Sequence, residues 1–246
     1  MKARQLHPWD VTPAEARALQ IELRRLVDFH DRRKKIRFVA GADVALRLLE
    51  RRSWETGSGR AIAGVIVFTF PELVEVERVF VERSLTFPYV PGLLSFREIP
   101  ALLEAFAALR STPDLIFCDG HGYAHPRRIG VATHLGLLLD RPTIGCAKSR
   151  LIGEHAEPGK RAGRWTPLLA PREPASPGTK PLETIGAVLR TRATSSPIFV
   201  SQGYGLPLSR AIQLTLAVCD GQRIPKPTRL ADRFVADVKR GKIPQR

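Results

Sequence analysis

The sequence predicts a single α/β domain, built on a mixed sheet flanked by helices. Two short apolar runs, residues 115–118 and 143–147, are separated by a helical pattern over residues 129–139. Continuous apolar runs of this length are typical of strands that are buried on both faces and run parallel, with a helix between them. A length of 246 residues suits one sizeable domain with loop insertions.

The remaining elements follow from hydrophobic periodicity and turn residues. Strands are predicted at 36–46, 61–70 and 73–82. The short connection at Pro71 predicts that the last two of these strands pair antiparallel. Further strands are predicted at 183–190 and 197–204, and helices at 12–29, 207–219 and 228–239. The inner face of the first helix is expected to carry Ala16, Leu19, Leu23 and Leu26, and Ser95 to Glu98 fits a capping box. Two segments are predicted as loop insertions, the second flexible: 51–60 and 154–181.

Charge is the unusual feature of the composition. Lys and Arg number 39 against 24 Asp and Glu, a net charge of +15. Such a balance favours a polyanionic partner, most often nucleic acid, although a basic solvated surface is the alternative. The cysteines, Cys118, Cys146 and Cys219, are odd in number and widely spaced, which predicts reduced thiols. With no signal peptide and no membrane-spanning run, we expect a cytoplasmic protein, and a monomer.

Charged residues follow the two buried strands where each strand ends. Asp119 ends the first run and Lys148 follows the second, so parallel strands would bring a carboxylate and an ammonium to one sheet edge. Asp43 lies inside an apolar strand, where a carboxylate must be paired, metal-bound or protonated. A salt bridge is the commoner explanation for one such residue. Two carboxylates at strand positions favour a divalent metal.

The segment between residues 87 and 98 reads as a stiff loop. Pro88 and Pro91 fix the backbone around Tyr89 and Val90, so the tip has little freedom to lose. Rigid apolar tips can wedge into a base stack, but composition alone favours a packed surface turn. For Asp232, helical periodicity alone predicts a solvated position.

Four motifs resemble endonuclease V, a family of deoxyinosine-directed repair nucleases: PYVPGLLSFRE (88–98), DGHGYAHPRRIGVATHLGLLLD (119–140), PTIGCAKSRL (142–151) and IPKPTRLAD (224–232). Four long motifs in the family's order are far more specific than one short pattern. The resemblance implies a ribonuclease H-like core. It also implies DNA nicking with Mg²⁺, or Mn²⁺ as a substitute. It further implies a cut at the second phosphodiester 3′ of inosine that leaves 3′-hydroxyl and 5′-phosphate ends.

The resemblance also assigns roles to residues. It implies metal binding by Asp43, Asp119 and Glu98, and catalytic roles for these three, Lys148 and Asp232. Tyr89 matches the wedge residue of the loop and His125 a residue lining the base pocket. Gly92, Gly120 and Gly145 would let the backbone approach an extruded base. The other positions expected to contact DNA are Pro88, Val90, Pro91, Leu94 and Ser149.

The sequence departs from the family pattern in places, and two other functions stay open. Lys226 stands where the family usually has Glu, Tyr204 where it usually has His, and both predicted insertions are longer than usual. Inosine in RNA is an alternative substrate, since the 2′-hydroxyl distinguishes RNA from DNA and no sequence feature decides between the two. A non-catalytic nucleic-acid-binding module is disfavoured, because binding alone would select against acidic residues beside phosphates.

Overall fold

The computed structural model describes residues 1–32, 35–48, 59–172 and 181–243. The strands are β1 (Phe38–Arg47), β2 (Arg60–Thr69), β3 (Glu75–Ser84), β4 (Leu115–Asp119), β5 (Thr143–Ala147), β6 (Trp165–Pro171), β7 (Leu182–Leu189) and β8 (Ile198–Tyr204). The α-helices are α1 (Pro13–Leu23), α2 (Leu94–Ala108), α3 (Val131–Leu139), α4 (Leu208–Ala217) and α5 (Lys226–Lys239). Among the described residues, no helix combines the length and the apolar character needed to span a membrane.

All eight described strands form one mixed sheet, in the order β3-β2-β1-β4-β5-β8-β7-β6. Strand β1 pairs antiparallel with β2 and parallel with β4, and β4 pairs parallel with β5. Three neighbouring strands therefore present their carboxyl ends at the same edge. This confirms the predicted α/β class and the predicted parallel pair.

Both faces of the sheet are covered by helices because side chains alternate along each buried strand. On one face Phe117 packs with α4 and with Phe234 of α5. On the other face Ile116 packs with Phe106 of α2 and Leu135 of α3. The central strands are buried on both sides, as their continuous apolar runs predicted.

Two details of the predicted helices are wrong. The first helix begins after Thr12, as predicted, with a capping box between Thr12 and Glu15, but it ends at Leu23 and continues only as a 3₁₀ turn. Leu26 lies in that turn, off the α-helical register, and is 52% exposed. The Ser95 capping box does not form, because a turn from Val90 to Leu93 starts α2 earlier and places Ser95 inside it.

The prediction of a flexible loop at 154–181 is wrong for Trp165–Pro171, which form β6. This strand pairs antiparallel with β7, and Glu154 bridges to Leu169. Pro167 and Pro171 argued against a strand, but β6 is an edge strand of the described sheet, where a missing N–H is tolerated. Residues 173–180, and the predicted insertion at 51–60 up to residue 58, lie outside the described residues.

Candidate active site

Three carboxylates from separate elements meet where β4 ends, beside the middle of β1. Asp43 lies on β1, Asp119 is the last residue of β4 and Asp232 lies on α5. One carboxylate oxygen from each lies within 4.8 Å of the others. The parallel register pairs Ala42 with Cys118, so Asp43 and Asp119 come next on neighbouring strands. The structure thus brings these two residues together, as predicted.

Asp232 reaches the cluster because two glycines let α5 lie directly against the sheet. A Cβ atom on Gly41 would stand 2.0 Å from the Pro227 carbonyl oxygen, and one on Gly64 would stand 2.5 Å from Val235 Cγ1. Periodicity alone predicted a solvated position for Asp232, and this prediction is correct only for part of its side chain. The Asp232 side chain is 47% exposed, yet it faces the cluster from the flank of the helix.

Lys148 joins the same group through two ion pairs. Its ammonium donates to Asp119 Oδ2 at 2.7 Å and to Asp232 Oδ2 at 2.8 Å. Burial lowers the pKa of Lys148, but the two hydrogen bonds outweigh burial and the pKa lies above its ordinary value. Lys148 is therefore a positively charged donor at neutral pH, and not a proton acceptor.

The two remaining acidic groups, Asp43 and Glu98, both have raised pKa values. Burial, followed by repulsion from Asp119, raises the pKa of Asp43 to about 7. Among the described residues Asp43 makes no ion pair. Glu98, half-buried on α2, lies outside the group of three, and burial and then repulsion from Asp43 and Asp119 raise its pKa well above the ordinary value.

The donor set fits a divalent cation of the hard class. Every candidate ligand is a carboxylate oxygen, and the described cluster contains no thiolate or imidazole. Mg²⁺ binds through a small number of carboxylates and keeps positions for water and phosphate oxygens. Burial, followed by repulsion from Asp119, raises the pKa of Asp43, and a bound cation would oppose both effects by favouring the ionised carboxylate.

The loop with Tyr89 at its tip is fixed from three directions. Gly92 has a φ of +78°, and its carbonyl accepts hydrogen bonds from Gln20 Nε2 at 3.1 Å, His125 Nε2 at 3.0 Å and Arg127 Nη2 at 2.7 Å. Tyr89 itself is 49% exposed. The loop is therefore more than a packed surface turn, because its backbone is anchored at Gly92 while the Tyr89 ring is exposed.

His125 belongs to this anchoring network. It is buried, donates from Nε2 to Gly92 and accepts at Nδ1 from the Arg127 N–H at 3.2 Å. Burial, and then the charge of Arg127, lower the pKa of His125 to about 3, so the ring is neutral. Its place in a base pocket stays a prediction. The anchoring partners Gln20 and Arg127 were missed, because their pairing spans distant segments.

The glycines and Ser149 also have structural explanations. A Cβ on Gly145 would stand 2.5 Å from the Gly122 backbone nitrogen, so Gly145 permits close packing inside the protein. Gly120 has a φ of +134° and turns the chain after β4. The Ser149 carbonyl accepts from His121 Nε2 at 3.1 Å. Contacts of these residues with DNA stay predictions, as do those of Pro88, Val90, Pro91 and Leu94.

The two departures from the family pattern make contacts away from the carboxylates. Lys226 Nζ donates to the Leu73 carbonyl at 2.9 Å, beside the connection between β2 and β3. The Tyr204 hydroxyl donates to Asp140 Oδ1 at 3.1 Å, and the Arg32 guanidinium lies over its ring. Both residues stabilise the fold locally.

A ribonuclease H-like sheet that gathers three carboxylates and a lysine at one edge defines a nuclease, which is a phosphodiester hydrolase. The family model for endonuclease V matches residues 21–233. Endonuclease V of Roseiflexus sp. is 43% identical over 238 residues, 97% of each chain. The chain belongs to the endonuclease V family.

Solved structures agree with this assignment. The Streptomyces avermitilis endonuclease V superposes with a TM-score of 0.83 at 38% identity, over 98% of this chain and 99% of that one. The Ciona intestinalis endonuclease V, in complex with a 24mer DNA containing an inosine followed by a ribo-adenosine, gives a TM-score of 0.74 at 25% identity. This match covers 94% of this chain and 98% of the other.

Proposed function

We propose that this nuclease hydrolyses, with Mg²⁺, the second phosphodiester bond on the 3′ side of deoxyinosine, leaving 3′-hydroxyl and 5′-phosphate ends. The observation that carries the proposal is the convergence of Asp43, Asp119 and Asp232 beside a protonated Lys148. The Ciona relative bound to inosine-containing DNA supports the choice of substrate.

The carboxylates of Asp43, Asp119 and Asp232 would hold the ion, and Glu98 would add a further oxygen ligand. When bound, Mg²⁺ supplies Lewis-acid polarisation of the phosphate and lowers the pKa of a bound water. Mn²⁺ has the same preference for oxygen ligands and would substitute. The half-burial of Asp43 and Glu98 limits competition from bulk water at this position.

Lys148 supplies positive charge where the phosphoryl oxygens gain negative charge. An ammonium has three N–H donors, and Asp119 and Asp232 accept two of them. The third can donate to a phosphoryl oxygen, and the two ion pairs fix its direction. Such preorganised donors are a major source of transition-state stabilisation.

The loop with Tyr89 would recognise the lesion by opening the base stack. A deaminated base pairs poorly, so extruding it costs less than extruding a normal base. The exposed Tyr89 ring on a loop anchored at Gly92 would occupy the space that the base leaves. A rigid wedge of this kind offsets part of the lost stacking.

The test is cleavage of matched oligonucleotides that carry inosine or adenine at one position, as DNA and as RNA. Reactions contain Mg²⁺, Mn²⁺ or EDTA, and the product ends are mapped to the nucleotide. We expect metal-dependent cleavage of the inosine DNA at the proposed bond. Equal cleavage in EDTA would reject the proposed metal dependence. Equal cleavage of the adenine strand would reject the proposed specificity for inosine. A clear preference for the RNA strand would select the alternative substrate.

A further inference from the structure

A groove of about 800 Å³ opens directly beside Lys148. One wall is the segment 155–160, which lies in the insertion predicted from sequence. The other wall is the loop 193–197, between β7 and β8. The groove is separate from the Tyr89 loop and shares only Lys148 with the active-site residues described above.

A buried arginine fixes the two walls relative to each other. Arg190 is 8% exposed and pairs with Glu157 Oε1 at 2.5 Å. The same guanidinium donates to the Gly159 carbonyl at 3.0 Å on the first wall and to the Ser195 carbonyl at 2.5 Å on the second. The shape of the groove is therefore fixed by hydrogen bonds within the fold. The carboxylate of Glu157 is paired with the Arg190 guanidinium.

A second arginine connects the groove to the catalytic lysine. Arg223 donates to the Lys148 carbonyl at 2.9 Å, to the Ser196 carbonyl at 2.9 Å and to the Pro197 carbonyl at 3.1 Å. Arg223 thereby fixes the distance between the second wall and the backbone of Lys148. A nucleic-acid strand bound along that wall would lie at the same distance from Lys148. Neither arginine was identified from the sequence, since each joins segments that are far apart in the chain.

The lining chemistry matches a polynucleotide backbone. Lys160 places an exposed ammonium on the first wall, and Thr194 and Ser196 place exposed hydroxyls on the second. Phe199 also lines the groove, with the centre of the His155 ring 5.5 Å from that of its own ring. Lysine and hydroxyl groups contact phosphates, and an aromatic floor accepts a base or a sugar.

We propose that this groove binds the sugar–phosphate backbone of the substrate strand on one side of the bond that is cut. The inference rests on the proposed function, because it places the cut bond at the carboxylate cluster. It gives the insertion a role: residues 155–160 extend the footprint on the strand, and Arg190 and Arg223 keep that footprint aligned with Lys148.

The experiment uses Lys160→Glu and Thr194→Asp, one variant on each wall, in the full-length protein. Lys35→Glu is the matched control, because Lys35 is exposed and precedes β1 at the opposite edge of the sheet. The probe is a long single-stranded DNA with inosine near its centre. We expect both wall variants to raise KM about three- to tenfold, and to flatten the dependence of log KM on log salt by about 1. The control should stay within about twofold of the unaltered protein.

Trimmed strands separate a groove contact from general charge repulsion. One strand ends shortly beyond the cut on its 3′ side, and the other begins shortly before the inosine on its 5′ side. One of these two strands lacks the nucleotides that would fill the groove. On that strand the KM of Lys160→Glu should approach the KM of the unaltered protein. The groove proposal is wrong if the defect persists on both trimmed strands or matches that of Lys35→Glu. Failure of the unaltered protein to cleave the long strand would overturn the proposed function as well.

Discussion

Replacing Asp43 by Asn should stabilise the metal-free protein while removing its response to metal. The pKa of Asp43 is raised from 3.8 to about 7 by burial and by repulsion from Asp119. The folded state therefore binds this proton more tightly than the unfolded chain, and folding stability falls as pH rises from about 4 to about 7. A shift of this size corresponds to at most about 4 kcal/mol at pH 8.

Asparagine keeps the shape of the side chain and removes the charge. In EDTA at pH 8 we expect Asp43→Asn to raise the free energy of unfolding by about 2–4 kcal/mol, the lower value allowing for partial solvation. For a chain of this size that raises the melting temperature by at least about 4 °C. Adding Mg²⁺ should stabilise the unaltered protein at pH 8 and much less at pH 5, and should leave the variant almost unchanged.

Thermal unfolding followed by circular dichroism, with EDTA or Mg²⁺ at both pH values, measures all of these shifts. Asp237→Asn is the matched control, because Asp237 lies on α5 outside the carboxylate cluster and pairs with Arg240 and Lys242. It should show no gain in EDTA. An Asp43→Asn protein that melts at or below the unaltered protein in EDTA at pH 8 would refute the reasoning.

Three further predictions address the helix, the wedge and the core. Gly41→Ala should destabilise the protein by about 1–3 kcal/mol and abolish Mg²⁺-induced stabilisation in the same melting assay, because its Cβ would meet the Pro227 carbonyl and displace α5. Tyr89→Ala should weaken capture of inosine in duplex DNA more than in single strands; an equal loss in binding titrations would count against a wedge. His134 donates from Nε2 to His7 Nε2 at 2.8 Å, and burial lowers the pKa of both rings. The unfolded chain therefore binds more protons at these two histidines below about pH 6.5, an effect opposite in sign to that of Asp43. In urea unfolding, the unaltered protein should lose stability relative to His134→Gln as the pH falls from 7 to 5. An unchanged slope in that variant would show that the pair does not titrate.

The sequence predicted those parts of the site that depend on local pattern. Asp119 and Lys148 end apolar runs, and the parallel pairing of their strands places both at one edge. Asp43 stood out because a carboxylate interrupts a buried strand. Periodicity could not place Asp232, since its direction depends on how closely α5 approaches β1, and that distance is set by the small size of Gly41 and Gly64.

Other features were hidden because their causes are non-local. Strand β6 contains prolines that argue against a strand in isolation, and only its edge position makes them acceptable. Arg190 and Arg223 are two basic residues among many in the sequence. Their importance comes from backbone carbonyls that the fold brings together from distant segments.

The three hydrogen bonds to the Gly92 carbonyl have a consequence for binding energetics. Gln20, His125 and Arg127 come from an N-terminal helix and a central loop, so the Tyr89 tip takes its shape when the whole domain folds. Little conformational entropy is then left to lose when a nucleic acid arrives. In the proposed wedge role, Tyr89 would therefore enter a base stack without a prior rearrangement of its loop.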